Sequence, residues 1–72
     1  MGAFAVRNRI RLLRQQRADM TQADLAQACD VTRQTIIALE AEKYSPSLEL
    51  AFKLARALGC KLDEVFQYTE KI

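Results

Sequence analysis

The chain has 72 residues, 50% of them apolar, with one Pro, two Gly and no His, which fits one domain spanning residues 1–72 and leaves no room for a low-complexity linker. Eleven Lys and Arg against nine Asp and Glu give a net charge of only +2, too little to assign a nucleic-acid partner by itself. No apolar run is long enough for a bilayer, MGAFAVRNR lacks the apolar stretch of a signal peptide, and Val6 stands where N-myristoylation wants Ser or Thr, so a cytoplasmic location is expected.

The charge is unevenly placed. Arg7, Arg9, Arg11, Arg14 and Arg17 all fall in the first seventeen residues, which hold no acid. Glu40, Glu42, Glu49, Asp63, Glu64 and Glu70 come later. Such a run is as often a solvated helix face as a binding surface, but next to the helix pair that follows a partly functional basic surface is the favoured reading. The spacing of Val6, Ile10 and Leu13 predicts a first helix from about Val6 to Arg17.

Met20 to Glu40 reads as two short helices with a sharp turn between them. Thr21 is a capping residue, and Asp24 can reach back to it as in a capping box. Met20 and Leu25 are placed as a hydrophobic staple. The same grammar recurs with Thr32 as cap and with Val31 and Ile36 as staple. Leu25, Ala26, Cys29, Val31, Ile36 and Leu39 then make one buried set. Arg33, Gln34, Thr35, Ile37 and Ala38 are left over at the start of the second helix of the pair.

Tyr44-Ser45-Pro46-Ser47 interrupts the pattern. Ser47 is a good cap, and Leu48, Ala51, Leu54, Ala55 and Leu58 form an apolar stripe, ended by Gly59. A short helix follows from about Leu62 to Phe66, with Glu64 three residues after the poor cap Lys61. Phe66-Gln67-Tyr68-Thr69 is rich in strand formers, and Ala3-Phe4-Ala5-Val6 can also be extended; frayed ends are the alternative. Cys29 and Cys60 lie far apart, without His and with no second Cys at zinc-finger spacing. They read as small buried hydrophobes in a reducing compartment, not as metal ligands or a disulfide. With no Gly-rich phosphate loop and no clustered carboxylates, no enzymatic reading fits, and no cofactor is expected.

The ordered blocks NRIRLLRQQR, MTQADLAQ, VTRQTIIALE, KYSPSLELAFKLARALG and LDEVFQY resemble the lambda-repressor-like (Cro/C1-type, XRE) helix-turn-helix transcriptional regulators, over about Asn8 to Tyr68. The match is to their short, single-domain members. The resemblance implies an all-α, five-helix DNA-binding domain. Some short relatives add a small antiparallel sheet made from the two termini. It also implies a division of roles. Arg33 and Gln34 match the leading base-reading positions, and chemically Arg suits guanine and Gln suits adenine. Ile37 and Ala38 follow on the next turn, suited to thymine methyls, although Ile37 is equally readable as a tolerated exposed aliphatic. Gln22 matches a glutamine that touches a phosphate and braces the recognition helix. Thr21, Thr32 and Thr35 are grouped with it as backbone contacts, with Lys43 and Tyr44 in the loop after the recognition helix. Arg14 and Glu40 match an ion pair that orients that helix. Relatives dimerise through their C-terminal helices, which puts Leu58, Leu62, Val65 and Phe66 in the seam and asks for a nearly palindromic site.

The chain departs from the family's pattern in three places. Asp30 occupies the tight turn where Gly is usual, which Asp tolerates better than most residues. Ala41-Glu42 replaces Asn-Gly or Asn-Asn before Lys43, so an acid would face phosphate if that loop approached closely. RADMTQ is one residue longer than the usual connection between the first two helices, which loosens the register of Arg14.

The expected function is a dimeric, DNA-binding transcriptional repressor. The antitoxin of a toxin–antitoxin pair uses the same fold, and a protein-interaction module without DNA binding is an alternative of another class. Double-stranded DNA and a second copy of the chain are the expected partners, with neither membrane nor metal. Sequence does not specify a small-molecule effector.

Overall fold

The computed structural model describes residues 4–70. The elements follow in the order β1 (Phe4–Asn8), α1 (Ile10–Leu13, continued by a π-helical turn Arg14–Ala18), α2 (Gln22–Ala28), α3 (Arg33–Glu40), α4 (Leu48–Leu58), α5 (Leu62–Val65) and β2 (Phe66–Glu70). This is the expected five-helix domain with a small antiparallel sheet.

Helix starts and stops follow local chemistry. The Thr21 hydroxyl accepts the Asp24 N–H at 3.0 Å, and an Asp24 carboxylate oxygen accepts the Thr21 N–H at 3.0 Å, a closed capping box. The Thr32 and Ser47 hydroxyls accept from the Thr35 and Leu50 N–H groups. Gly59 ends α4 at φ 69°, and the Cys60 N–H closes back on the Ala55 carbonyl. Asp30, at φ 58°, makes the left-handed turn between α2 and α3.

The first helix starts later than its apolar spacing predicts. Val6 belongs to β1, where it pairs with Tyr68 of β2. The backbone at 4–8 is satisfied by the chain's other end rather than by a helical turn. The Asn8 side chain then accepts the Ile10 N–H at 3.1 Å and begins α1. Ala3, expected in the N-terminal strand, lies outside the described residues.

The connection between the first two helices, read from sequence as one residue longer than usual, begins with the π turn. A π turn holds one residue more than an α turn. Here the Arg14 carbonyl collects both the Asp19 and the Met20 N–H groups, and Asp19 ends the turn at φ 50°. The Arg14 side chain reaches α3 from the start of this turn.

Ile10, Leu25, Ile36, Leu39, Leu54 and Val65 are fully buried and join five elements in one core, with Cys29, Ala26, Ala55 and Leu58 between them. Leu48 leaves the expected α4 stripe. As the first residue of the helix it stands 69% exposed.

Two acids at helix starts make the fold acid-sensitive. The Thr21 N–H holds the Asp24 carboxyl below its ordinary value, and the Lys61 N–H, at 2.8 Å, does the same for Glu64 with help from Arg17. Folding lowers both values, so the stability they add is complete above the unfolded values near pH 4 and is lost as pH falls through the folded ones. Thermal midpoints of an Asp24→Asn/Glu64→Gln chain should therefore decline less between about pH 5 and 2 than those of the unsubstituted protein. Parallel declines would show that neither carboxylate contributes.

Candidate nucleic-acid interface

Helix α3 has one face in the core and one toward solvent. Ile36 and Leu39 are fully buried, while Arg33 and Gln34 are exposed at its start. Neither the Arg33 nor the Gln34 side chain has a hydrogen-bond or ion-pair partner among the described residues. Thr35 is half-buried, with its hydroxyl 3.1 Å from that of Thr32. Ile37 and Ala38 are half-buried rather than fully exposed. Long polar side chains free at the first turn of a helix whose opposite side is anchored are the chemistry that major-groove reading requires.

The anchor at the other end of α3 is Glu40. Arg14 donates to it twice, Nε to Oε2 at 2.8 Å and Nη2 to Oε1 at 3.3 Å. The two side chains are only 9% and 7% exposed. Arg14 Nη1 also donates to the Met20 carbonyl at 2.9 Å, and Gln22 Nε2 donates to Glu40 Oε1 at 3.1 Å. One carboxylate thus ties α3 to α1 and α2. Gln22 keeps a second amide hydrogen for another acceptor. Arg11, Gln15, Thr21, Gln22 and Arg33 line an open polar groove above this pair.

The loop after α3 is held from behind. Glu42 adopts φ 58° and turns its carboxylate to β1, accepting Arg7 Nε at 2.8 Å and the Asn8 N–H at 2.9 Å. The Asn8 amide in turn donates to the Leu39 carbonyl at 2.8 Å. The acid expected to oppose phosphate is thus occupied by an arginine. Lys43 and Tyr44 remain exposed beyond it.

Leu58 and Val65, two of the four expected seam residues, are buried in the chain's own core. Leu62 and Phe66 are half-buried and line grooves with Val6. Leu48, Phe52 and Tyr68, none of them among the four expected seam residues, widen this apolar surface. Phe52 is 54% exposed and Tyr68 72%. Tyr68 follows Phe66 by two residues along β2, so the strand's alternation puts both on one face.

Cys29 is buried, and burial raises its thiol. Cys60 is half-buried and donates to the Leu58 carbonyl. Among the described residues no three His, Cys, Asp or Glu are grouped for a metal ion, and no helix is long and apolar enough to cross a membrane.

Comparison with known proteins agrees with this geometry. A helix-turn-helix family model matches residues 10–65. An uncharacterized HTH-type transcriptional regulator of Methanocaldococcus jannaschii is 52% identical over 52 residues, 72% of this chain and 79% of that protein. One from Archaeoglobus fulgidus is 41% identical, covering 92% of this chain and 93% of the relative. One from Bacillus subtilis is 38% identical, covering 92% and 98%. The crystal structure of a presumed DNA-binding protein from Bacteroides fragilis shares the fold, with a TM-score of 0.78 over 86% of this chain and 98% of that one, at 24% identity. A family model spanning most of the chain, and relatives matched along nearly their whole length, establish that the chain belongs to the XRE-type helix-turn-helix family of transcriptional regulators.

Proposed function

We propose that the chain is a sequence-specific DNA-binding transcriptional regulator that acts as a dimeric repressor by occluding a promoter. The observation that carries the reading is α3. Arg33 and Gln34 stand free at its exposed start, while Glu40 at its far end is gripped by Arg14 and Gln22. In this reading Arg33 and Gln34 read base edges, with Ile37 and Ala38 against thymine methyls. Gln22, Thr21, Thr32, Thr35, Lys43 and Tyr44 flank the phosphates.

One domain covers about half of an operator. The second copy docks on the apolar face formed by Leu48, Phe52, Leu62, Phe66 and Tyr68, much of which is exposed in the single chain. That seam keeps Leu62 and Phe66 at its centre, with Leu58 and Val65 supporting them from the core. Two-fold symmetry then places two recognition helices about 34 Å apart. Selection from random duplexes by the purified protein should enrich a palindrome with half-sites centred about 10 base pairs apart. Sedimentation at micromolar concentration should give twice the chain mass. Failure to enrich any sequence would refute the function, and a monomer both free and on the enriched duplex would refute the dimer.

A further inference from the structure

Five arginines lie in the first seventeen residues, and the fold divides them. Arg7 is paired with Glu42, Arg14 with Glu40 and Arg17 with Glu64. The side chains of Arg9 and Arg11 have no hydrogen-bond or ion-pair partner among the described residues, and both residues are exposed. Their position is not arbitrary. Arg11 lines the polar groove that also takes in Gln22 and Arg33. It lines the adjoining groove with Arg9 and Gln15 as well. Among the described residues Glu40 is the one acid on either groove wall, and Arg14 and Gln22 already answer its charge from within the fold. The rim of α1 beside the start of α3 therefore presents uncompensated positive charge.

A duplex seated on Arg33 and Gln34 must run its sugar-phosphate backbone past this rim. The geometry points to Arg11, with the Gln15 amide one turn further along α1, as a holder of one backbone phosphate. Helix α1 then forms a second wall of the DNA seat, outside the helix-turn-helix motif. A guanidinium grips a phosphate through two parallel N–H bonds, and a carboxamide NH2 adds a third donor. Such a contact fixes the register of the protein on the duplex without reading sequence. The inference rests on the DNA-binding reading above and extends it to residues outside the helix-turn-helix motif.

The test titrates the full chain on its enriched duplex and on a scrambled one at several salt concentrations. Arg11→Ala should lower the salt slope by about 0.9 per half-site on both duplexes and leave base preference and the thermal midpoint unchanged. Arg11→Lys should restore the slope, because a phosphate contact needs the charge. Arg17→Ala, which removes a charge already matched by Glu64, should keep the slope of the unsubstituted chain. If the unsubstituted chain binds and Arg11→Ala shows the same slope, the phosphate assignment fails while DNA binding stands. A changed base preference in Arg11→Ala would also overturn it, since Arg11 would then be reading a base edge. Absence of binding by the unsubstituted chain to any duplex would end both readings.

Discussion

Arg14→Ala is expected to destabilise the fold by about 3–5 kcal/mol, because it leaves the Glu40 carboxylate buried without its counter-ion. Both side chains of the pair are less than a tenth exposed, and the geometry is bidentate. The same substitution orphans the Met20 carbonyl that Arg14 Nη1 satisfies. A domain of this length has roughly 4–11 kcal/mol of total stability at 0.05–0.15 kcal/mol per residue, so the loss removes a large part of it. Urea denaturation of the single variant measures the cost directly. Two comparisons separate a buried pair from a solvated one. Arg17→Ala breaks an ion pair whose partners are about half exposed, and should cost less than about 1 kcal/mol. Arg14→Met combined with Glu40→Leu removes both charges and should be more stable than either single variant. If Arg14→Ala costs no more than Arg17→Ala, the pair is solvated and Glu40 does not orient α3.

The helix-turn-helix was legible because its signals are local. Thr21 with Asp24, Thr32, Ser47 and Gly59 each satisfy backbone groups within a few residues, and each sits where sequence placed it. Asp30 is legible for the same reason, as a turn residue that tolerates positive φ. The Arg14–Glu40 contact was legible only through family resemblance, since nothing local couples positions 26 residues apart.

What sequence hid is non-local. Val6 carries a helix-compatible spacing, yet its backbone is taken by β2 across the whole chain. A period-3.6 pattern of three residues cannot exclude a strand that ends where the helix begins. Glu42 read as a liability because its αL conformation and its bonds to Arg7 and Asn8 depend on where β1 lies. Leu58 and Val65 read as seam because apolar content says nothing about which side of a short helix faces inward; the core claims both. The arginines were visible as a run, but only the fold separates the matched from the free.

Arg33 and Lys43 are expected to fail in different ways when truncated, and the difference tests the proposed division of labour on the binding face. Arg33 stands at the first turn of α3, where a recognition helix enters the groove and a guanidinium can bond guanine O6 and N7 together. Arg33→Ala should cost about 1–3 kcal/mol per half-site and relax preference at one base pair. In a symmetric dimer the loss occurs twice, enough to pull specific binding toward the non-specific level. Gln34→Ala should relax a neighbouring position in the same way. Lys43 follows α3 in the loop that Glu42 ties back to β1, and the proposed function has its ammonium meet a backbone phosphate. Lys43→Ala should therefore weaken operator and scrambled duplexes alike and lower the salt slope by about one per half-site. Titrations of the variants on both duplexes at two salt concentrations distinguish the behaviours. Equal weakening of both duplexes by Arg33→Ala, with base preference intact, would make Arg33 another phosphate clamp and leave discrimination to Gln34 and Ile37.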